Sequence, residues 1–163
     1  MPTPTYTALA TITLGSSAAT VTFSSIPGTY RDLVLVSNIK QNTTGARQCN
    51  LQPNGDTGNA FLVYMDGSGS AASSGTSSAL SMFYMASGPA ANTNVMSIAQ
   101  ILDYSATDKF KTILTRAGSS FDPVSAYAAQ WTSTSAITSV TIFPNSGGNL
   151  SSGSSFDLYG IVS

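Results

Sequence analysis

The sequence of 163 residues contains no histidine and no glutamate, and Lys, Arg and Asp together make up only 8 % of it. Histidine is the most common general acid or base and the most common metal ligand in proteins, so its absence removes the usual starting point for catalysis or metal binding. Ser and Thr outnumber all charged residues more than threefold. This composition favours a protein that acts through its surface, and we predict that it is not an enzyme and uses no cofactor.

Basic residues are also few, since six Lys and Arg stand against seven Asp and give a formal net charge of −1. Without a basic stripe to neutralise phosphates, we expect no nucleic-acid partner. The longest apolar runs, Leu33–Val36 and Phe61–Met65, are far too short to cross a bilayer, so we expect no membrane partner. A nearly neutral surface repels copies of itself only weakly, which suits a self-associating protein.

A single cysteine, Cys49, excludes an intrachain disulfide and cannot by itself build a zinc site. We interpret it as a small buried residue in a strand, because a cysteine nucleophile would need a partner base and the chain has no histidine. The start of the chain, Met1–Tyr6, has neither the basic nor the apolar region of a signal peptide. We therefore expect the protein to be made and kept in a cytoplasm until it is released.

Strand-forming patterns fill most of the chain. In Thr5–Leu14, polar and apolar residues alternate with a period of two, which is typical of a half-buried strand. In Asp32–Ile39 both faces are apolar, which predicts a central strand buried on both sides. The predicted strands are Thr5–Leu14, Ala19–Phe23, Asp32–Ile39, Arg47–Gln52, Ala60–Asp66, Leu80–Ala86, Val95–Leu102, Lys109–Arg116, Ala126–Trp131, Ile137–Phe143 and Phe156–Val162.

About ten short antiparallel strands separated by turn signals predict an all-β fold, namely a single-domain β-sandwich over residues 6–163, and more specifically a jelly roll. We expect the first two strands to pair as a hairpin through Gly15–Ser17, and the last two to pair through Asn145–Ser155. The low-complexity stretch Gly67–Ser78 is rich in Gly and Ser, and it predicts a flexible surface loop.

The few ionisable residues leave little room for a reaction centre. The seven Asp are scattered, mostly at strand ends and turns where Asp caps backbone amides, so the paired carboxylates of a glycosidase are not expected. Ser37 and Lys40 match a Ser-x-x-Lys pattern, but residues three apart on a strand point to opposite sides. We predict no catalytic or metal site; the alternative left open is Ca²⁺ held by Asp56, Asp66 and nearby loop carbonyls.

Two groups of surface residues have more than one interpretation. On one predicted strand Phe110 and Leu114 face inward, so Lys109 and Lys111 face outward, either as a phosphate-binding pair or, as we favour, as a solvated edge that prevents wrong pairing. Aromatic residues could stack on sugar rings, although they more often fill cores or interfaces. These aromatic residues are Tyr30, Tyr64, Tyr84, Tyr104, Tyr127, Trp131 and Tyr159.

Three short segments, taken in order along the chain, form a pattern of motifs. They are Ser25–Leu33 (SIPGTYRDL), then Ile101–Tyr104 (ILDY) followed by Lys109–Lys111 (KFK), and finally the segment from Ala136 that ends in Phe156–Ile161 (FDLYGI). In this order they resemble small jelly-roll-like structural proteins of tailed-bacteriophage virions, which are described as capsid decoration (cement) proteins or as tail-fibre proteins. The resemblance extends over nearly the whole chain, and it implies virion assembly and a trimer.

The resemblance leads to the hypothesis of a non-enzymatic, homotrimeric cement protein on the outer surface of the phage head, made in the host cytoplasm. Its partners would be the major capsid protein and other copies of itself. A single compact domain without heptads favours the head over an elongated fibre. Residues 1–5 would form an extended N-terminal arm that reaches onto a neighbour, since proline fixes φ and less entropy is lost on docking. The predicted contact residues are Pro2, Thr3, Pro4 and Thr5.

The alternative is a tail-fibre or receptor-binding domain that recognises host surface glycan. Two or three aromatic residues exposed in a groove would favour this alternative, whereas aromatic residues buried in the core or in a trimer contact would favour the cement protein. A hydrolytic tailspike fragment ranks last, because it needs two Asp at catalytic separation.

Overall fold

The computed structural model describes residues 5–42, 48–80, 83–86, 93–118, 124–145 and 147–162. These residues form twelve strands in two antiparallel sheets, which confirms the predicted all-β sandwich; the jelly roll stays a prediction. The strands are β1 (Tyr6–Thr13), β2 (Val21–Phe23), β3 (Asp32–Lys40), β4 (Cys49–Pro53), β5 (Ala60–Gly67), β6 (Ala72–Leu80), β7 (Phe83–Ala86), β8 (Asn94–Leu102), β9 (Lys111–Gly118), β10 (Val124–Trp131), β11 (Val140–Pro144) and β12 (Ser155–Ile161).

The two sheets differ in width. The large sheet has eight strands in the order β1-β12-β3-β8-β9-β10-β5-β6, and the small sheet has four in the order β2-β11-β4-β7. The small sheet ends at β7, which packs over β8, β9 and β10 of the large sheet. The β5–β6 edge of the large sheet therefore extends past the last strand of the small sheet.

The core lies between the sheets and follows from the alternation within each strand. In β3, Leu33, Leu35 and Ile39 are fully buried in it. Val34 points to the other side of the large sheet and is only 3 % exposed, whereas Val36 on that same side is half-buried, so the prediction of a strand buried on both faces is confirmed only in part. Cys49 is also fully buried, and burial raises the pKa of its thiol to about 12, so the reactive thiolate does not form at neutral pH.

The predicted hairpins at the two ends of the domain are wrong. β1 pairs with β12 in the large sheet, whereas β2 pairs with β11 in the small sheet, so the chain crosses between sheets after Gly15–Ser17 and again within Asn145–Ser155. The two crossing segments bond to each other instead, since Ala18 and Leu150 exchange backbone hydrogen bonds of 3.0 and 2.8 Å. β2 pairs with β11 rather than with β1 because Val21 and Phe23 are then buried in the core from the side of the small sheet.

The predicted flexible loop Gly67–Ser78 is wrong over most of its length. β6 begins at Ala72 and pairs with β5 as the edge strand of the large sheet. Where side chains on an edge strand lie mostly in solvent, no apolar alternation is needed, and the backbone ladder holds the strand whatever its side chains. Ser, Gly and Thr therefore form a strand here that composition alone assigns to a loop.

The segments that carry the phage resemblance meet where β3 begins and where β8 and β12 end. The Tyr104 hydroxyl donates to the carbonyl oxygen of Pro27 and accepts a hydrogen bond from the Tyr30 amide at 3.4 Å. The Asp32 carboxylate accepts a hydrogen bond from the Asp103 amide at 2.8 Å. These motif residues join the β2–β3 connection to the β8–β9 connection, so their role in this chain is structural.

Gly160 belongs to the same junction, because the ring of Tyr30 lies directly against it. A Cβ atom at position 160 would come within 2.4 Å of Cγ of Tyr30, much closer than two carbon atoms pack. The Arg31 amide donates to the Ile161 carbonyl at 2.9 Å and holds the Tyr30 segment over β12. The segment cannot move away from a larger residue without breaking this bond.

We predict that Gly160→Ala lowers the free energy of unfolding by about 1–3 kcal/mol, since overpacking forces the Tyr30 ring to shift. Chemical denaturation measures this loss. In a Tyr30→Ala background the same substitution should cost much less, because the clash is gone. Gly118→Ala is the control: its Cβ would lie 3.6 Å from Val124, an ordinary contact. Equal losses at the two glycines would contradict the packing argument.

Candidate interaction surface

The acidic residues are not brought together as a calcium site or a reaction centre would require. Asp56 precedes β5 and Asp66 lies near the far end of that strand, so the two residues do not share a site. Among the described residues, no three His, Cys, Asp or Glu side chains are close enough to hold a metal ion.

Asp56 instead organises one end of the sandwich. Its Oδ2 atom accepts hydrogen bonds from Nδ2 of Asn59 at 2.7 Å and from Nε1 of Trp131 at 2.8 Å, and Oδ1 accepts one from the Gly58 amide at 3.1 Å. Partial burial raises the pKa of this carboxyl, but the hydrogen bonds from Asn59, Trp131 and the backbone together outweigh burial and lower the pKa. The carboxylate thereby fixes the buried indole of Trp131.

The predicted outward pair of lysines is wrong, because Lys111 points inward. It is fully buried, and its Nζ donates to the carbonyls of Lys109 at 3.0 Å and Ser133 at 3.4 Å and lies 5.5 Å from the ring centre of Trp131. Burial lowers the pKa of Lys111, and the charge of Asp108 opposes this shift. The inward placement of Phe110 and Leu114 is wrong as well. β9 buries Lys111 and Ile113, so Leu114 lies on the outer side, and Phe110, just before the strand, is 49 % exposed.

The aromatic residues divide between the core and a cleft. Tyr104, Tyr127 and Trp131 are buried, as expected for a protein that uses them for packing. Tyr64 and Tyr84 are half-buried and border a cleft at the edge of the small sheet together with Tyr127. The buried aromatic residues therefore agree with a role in packing, whereas Tyr64 and Tyr84 agree with stacking on a sugar ring.

The outer face of the large sheet is apolar. It exposes six large hydrophobic side chains, and smaller ones lie between them. One row of residues in register crosses five neighbouring strands in the order β3, β8, β9, β10 and β5. It consists of Val36, Ile98, Arg116, Ala126 and Met65. Five strands span about 19 Å at the usual spacing. We call this surface the outer apolar patch; its residues are Val36, Phe61, Val63, Met65, Met96, Ile98, Leu114, Arg116, Val124, Ala126 and Ala128.

Arg116 lies at the centre of the patch. Ile98 is its register partner on one side and Ala126 on the other, and a shallow groove of about 350 Å³ runs beside it along Met96 and Val124. In the part of the chain that the structure describes, its guanidinium takes part in neither of the two ion pairs, which join Arg31 to Asp32 and Lys109 to Asp103. A molecule that covers the patch must therefore offer a carboxylate or a carbonyl oxygen to this charge.

The outer face of the small sheet is polar by contrast. Thr22, Thr141 and Gln52 are register neighbours there, and the hydroxyls of the two threonines are 3.1 Å apart. The apolar surface is thus confined to one of the two outer faces. A contiguous exposed apolar face of this kind is typical of a protein contact site.

Most of the predicted arm lies outside the described residues, including Pro2, Thr3 and Pro4. Thr5 is exposed, and its carbonyl accepts a hydrogen bond from the Val162 amide at 3.1 Å. This bond ties the start of β1 to the end of β12 at the outer edge of the large sheet. A contact role for these four residues stays a prediction.

Sequence reasoning missed the outer apolar patch, although a signal for it exists. Phe61–Met65 is a run of five apolar residues, so β5 presents apolar side chains on both faces. The same argument was applied only to Asp32–Ile39, where it predicts burial on both sides of the sheet. In β5 the second apolar face is exposed, and the pattern marks a surface that another molecule can cover.

Comparisons with protein-family models, with curated proteins and with solved structures found no match to this chain. Among the described residues there is also no helix long and apolar enough to cross a membrane.

Asp56 gives a pH-dependent prediction. Because its pKa is lower in the folded chain than the ordinary value of 3.8, its ionised form stabilises the fold above that value, and this contribution is lost as the pH falls through the folded pKa. We expect Asp56→Asn to lower the free energy of unfolding by about 1 kcal/mol at pH 7. Below about pH 4 the variant should lose less stability than the parent chain does. Denaturation from pH 7 to pH 2 measures both effects. The same substitution at the exposed Asp108 is the control. If Asp56→Asn lost as much stability below about pH 4 as the parent chain does, the acid-dependent loss would not come from Asp56.

Proposed function

We propose that this protein is a non-enzymatic capsid decoration (cement) protein of a bacteriophage. It acts as a homotrimer that binds the outer surface of the head and stabilises contacts between major capsid subunits. The observation that carries the proposal is the outer apolar patch, because an apolar face of this kind is a contact surface rather than a reaction centre. The resemblance of the three motif segments supplies the virion context.

Charge argues for a different protein, rather than a second copy of the same face, as the occupant of the patch. Two copies that met face to face about a twofold axis would present the same residues to each other. Both Arg116 guanidinium groups would then be buried in the contact, and no residue of the patch is acidic; the nearest carboxylate in the same row, Asp157 of β12, lies beyond Val36 at the border of the patch. A capsid surface that is apolar and carries a carboxylate opposite Arg116 avoids this cost.

Trimeric assembly makes a modest patch sufficient. Burial of one large apolar side chain stabilises a contact by about 1.5–3 kcal/mol at most, and part of this is offset by the loss of freedom on docking. Three copies of the patch on one rigid trimer convert a weak contact into strong avidity. Symmetric closure of the trimer also prevents open-ended association.

The first experiment measures the mass of the protein in solution and then tests whether it binds phage heads or host cells. Light scattering of the purified protein should give about three times the 16.7 kDa of one chain. The protein should then bind empty phage heads and not host cells. A monomer would contradict the trimer. A protein that does not bind heads but binds cells, and loses this binding when free sugar is added, would contradict location on the head.

Ile98→Asp should weaken binding to heads at least tenfold. The new carboxylate lies in register with Arg116, so it neutralises the guanidinium within the sheet and makes the patch polar. Thr22→Asp is the matched control, because it adds the same charge to an exposed position on the polar face of the small sheet. Cosedimentation with heads measures both variants, and equal binding by the two would reject the patch as the capsid contact.

Deletion of residues 1–5 tests the arm. We expect weaker occupancy of heads with an unchanged circular dichroism spectrum, since the strands that form the core begin after the arm. Unchanged occupancy would show that Pro2, Thr3, Pro4 and Thr5 do not contact the capsid.

A tail-fibre or receptor-binding domain that recognises host glycan is the second candidate. The observation that favours it is the pair of half-buried tyrosines, Tyr64 and Tyr84, in the cleft beside β7. The comparison of heads with cells separates the two candidates.

A further inference from the structure

A polar cleft opens where the large sheet extends past the small sheet. Its floor is the inner face of β10, β5 and β6, its wall is the end strand β7, and its volume is about 380 Å³. Each described residue that lines it carries a hydroxyl, amide or carboxylate group, and none of these residues is aliphatic. The lining residues are Gln48, Tyr64, Asp66, Ser73, Thr76, Ser77, Tyr84 and Tyr127.

The floor of the cleft contains a carboxylate that is only partly satisfied. Asp66 and Ser73 line the cleft side by side, in register across β5 and β6. The Oδ1 atom of Asp66 is buried and has no hydrogen-bond partner among the described residues. Asp66 as a whole is only half-buried, so a ligand in the cleft can donate a hydrogen bond to its carboxylate.

The tyrosines that border the cleft are held in place. The rings of Tyr84 and Tyr127 meet edge to face, with centroids 5.8 Å apart and an interplanar angle of 84°. Tyr64 lies against Gly75 of β6, where a Cβ atom would come within 2.6 Å of its hydroxyl oxygen. Glycine at this position lets the phenol lie flat along the edge strand. The site is therefore preorganised, which reduces the entropy lost when a ligand binds.

The lining selects the chemistry of the ligand. Among the described residues that line the cleft there is no Lys or Arg to pair with an anion, while the Asp66 carboxylate accepts hydrogen bonds and the amide and hydroxyl groups both donate and accept them. A tyrosine offers an apolar ring face as well as a polar tip. The volume falls in the range of small-molecule sites, about 300–1,000 Å³. We infer that this cleft binds a neutral sugar, with Asp66 as acceptor for its hydroxyls and the tyrosines as its walls.

The sugar site does not depend on a location on the phage head. The cleft lies on the inner side of β5 and β6, whereas the outer apolar patch lies on the opposite side of β5. Loss of one function should therefore leave the other intact.

The test is a titration of the full chain with glucose, galactose, mannose, N-acetylglucosamine and their common disaccharides, followed by amide NMR shifts. We expect saturable shifts at Asp66, Ser73 and Ser77 with a dissociation constant on the order of 1 mM for at least one sugar. Asp66→Asn should weaken this binding at least tenfold, and Tyr84→Phe, which keeps the ring, should weaken it less. Asp108→Asn removes the same charge from an exposed loop and should bind as the parent chain does.

Three results would overturn the inference. They are the absence of saturable shifts with every sugar, shifts located away from the cleft, and equal affinity of Asp66→Asn and the parent chain. Saturation by tetramethylammonium without saturation by any sugar would reassign the cleft to organic cations. Binding of Asp66→Asn to phage heads, measured in parallel, shows whether a loss of sugar binding is separate from the capsid contact.

Discussion

A β-sheet can keep an apolar face out of water only where a second layer covers it, and in this protein four strands cover part of a sheet of eight. The inner face of the large sheet changes character where this cover ends. Beneath the small sheet it carries residues such as Leu33 and Ile101, and Leu62 of β5 is still part of the core. Farther along β5 and on β6 it carries Asp66, Ser73 and Gly75. The difference in width between the two sheets therefore decides where the core stops and where the polar cleft begins.

The motif residues and the outer apolar patch are separate parts of the molecule. Tyr30, Asp32 and Tyr104 join loops at one end of the large sheet, and no patch residue lies within the three motif segments. Because these residues hold loops together, a resemblance based on them says more about how the chain folds than about what it binds. In the function proposed above, the partner is recognised instead by Arg116 and the apolar side chains around it, which the motifs do not include.

Strand positions could be predicted from the sequence because period-two alternation reports burial directly. Pairing could not, because Gly15–Ser17 has the composition of a hairpin turn whether the next strand stays in the same sheet or crosses to the other one. Lys111 was predicted to face solvent because Phe110 was placed inward. The carbonyls of Lys109 and Ser133 that receive its ammonium group come together only in the fold, so no pattern in the sequence indicates them. The cleft was beyond prediction for the same reason, since it joins residues from four strands and from the segment before β4.

The edge strand β6 also has a consequence for how this protein can change over time. Its pairing with β5 uses backbone atoms, and most of its side chains are exposed, so substitutions there disturb few packing contacts. Yet Ser73, Thr76 and Ser77 of the same strand line the cleft. Mutation can thus vary the chemistry of the cleft while the core stays constant, with Gly75 as the position that the neighbouring Tyr64 ring keeps fixed. The strand with the least informative sequence is the part of the molecule that has the most freedom to acquire a new specificity.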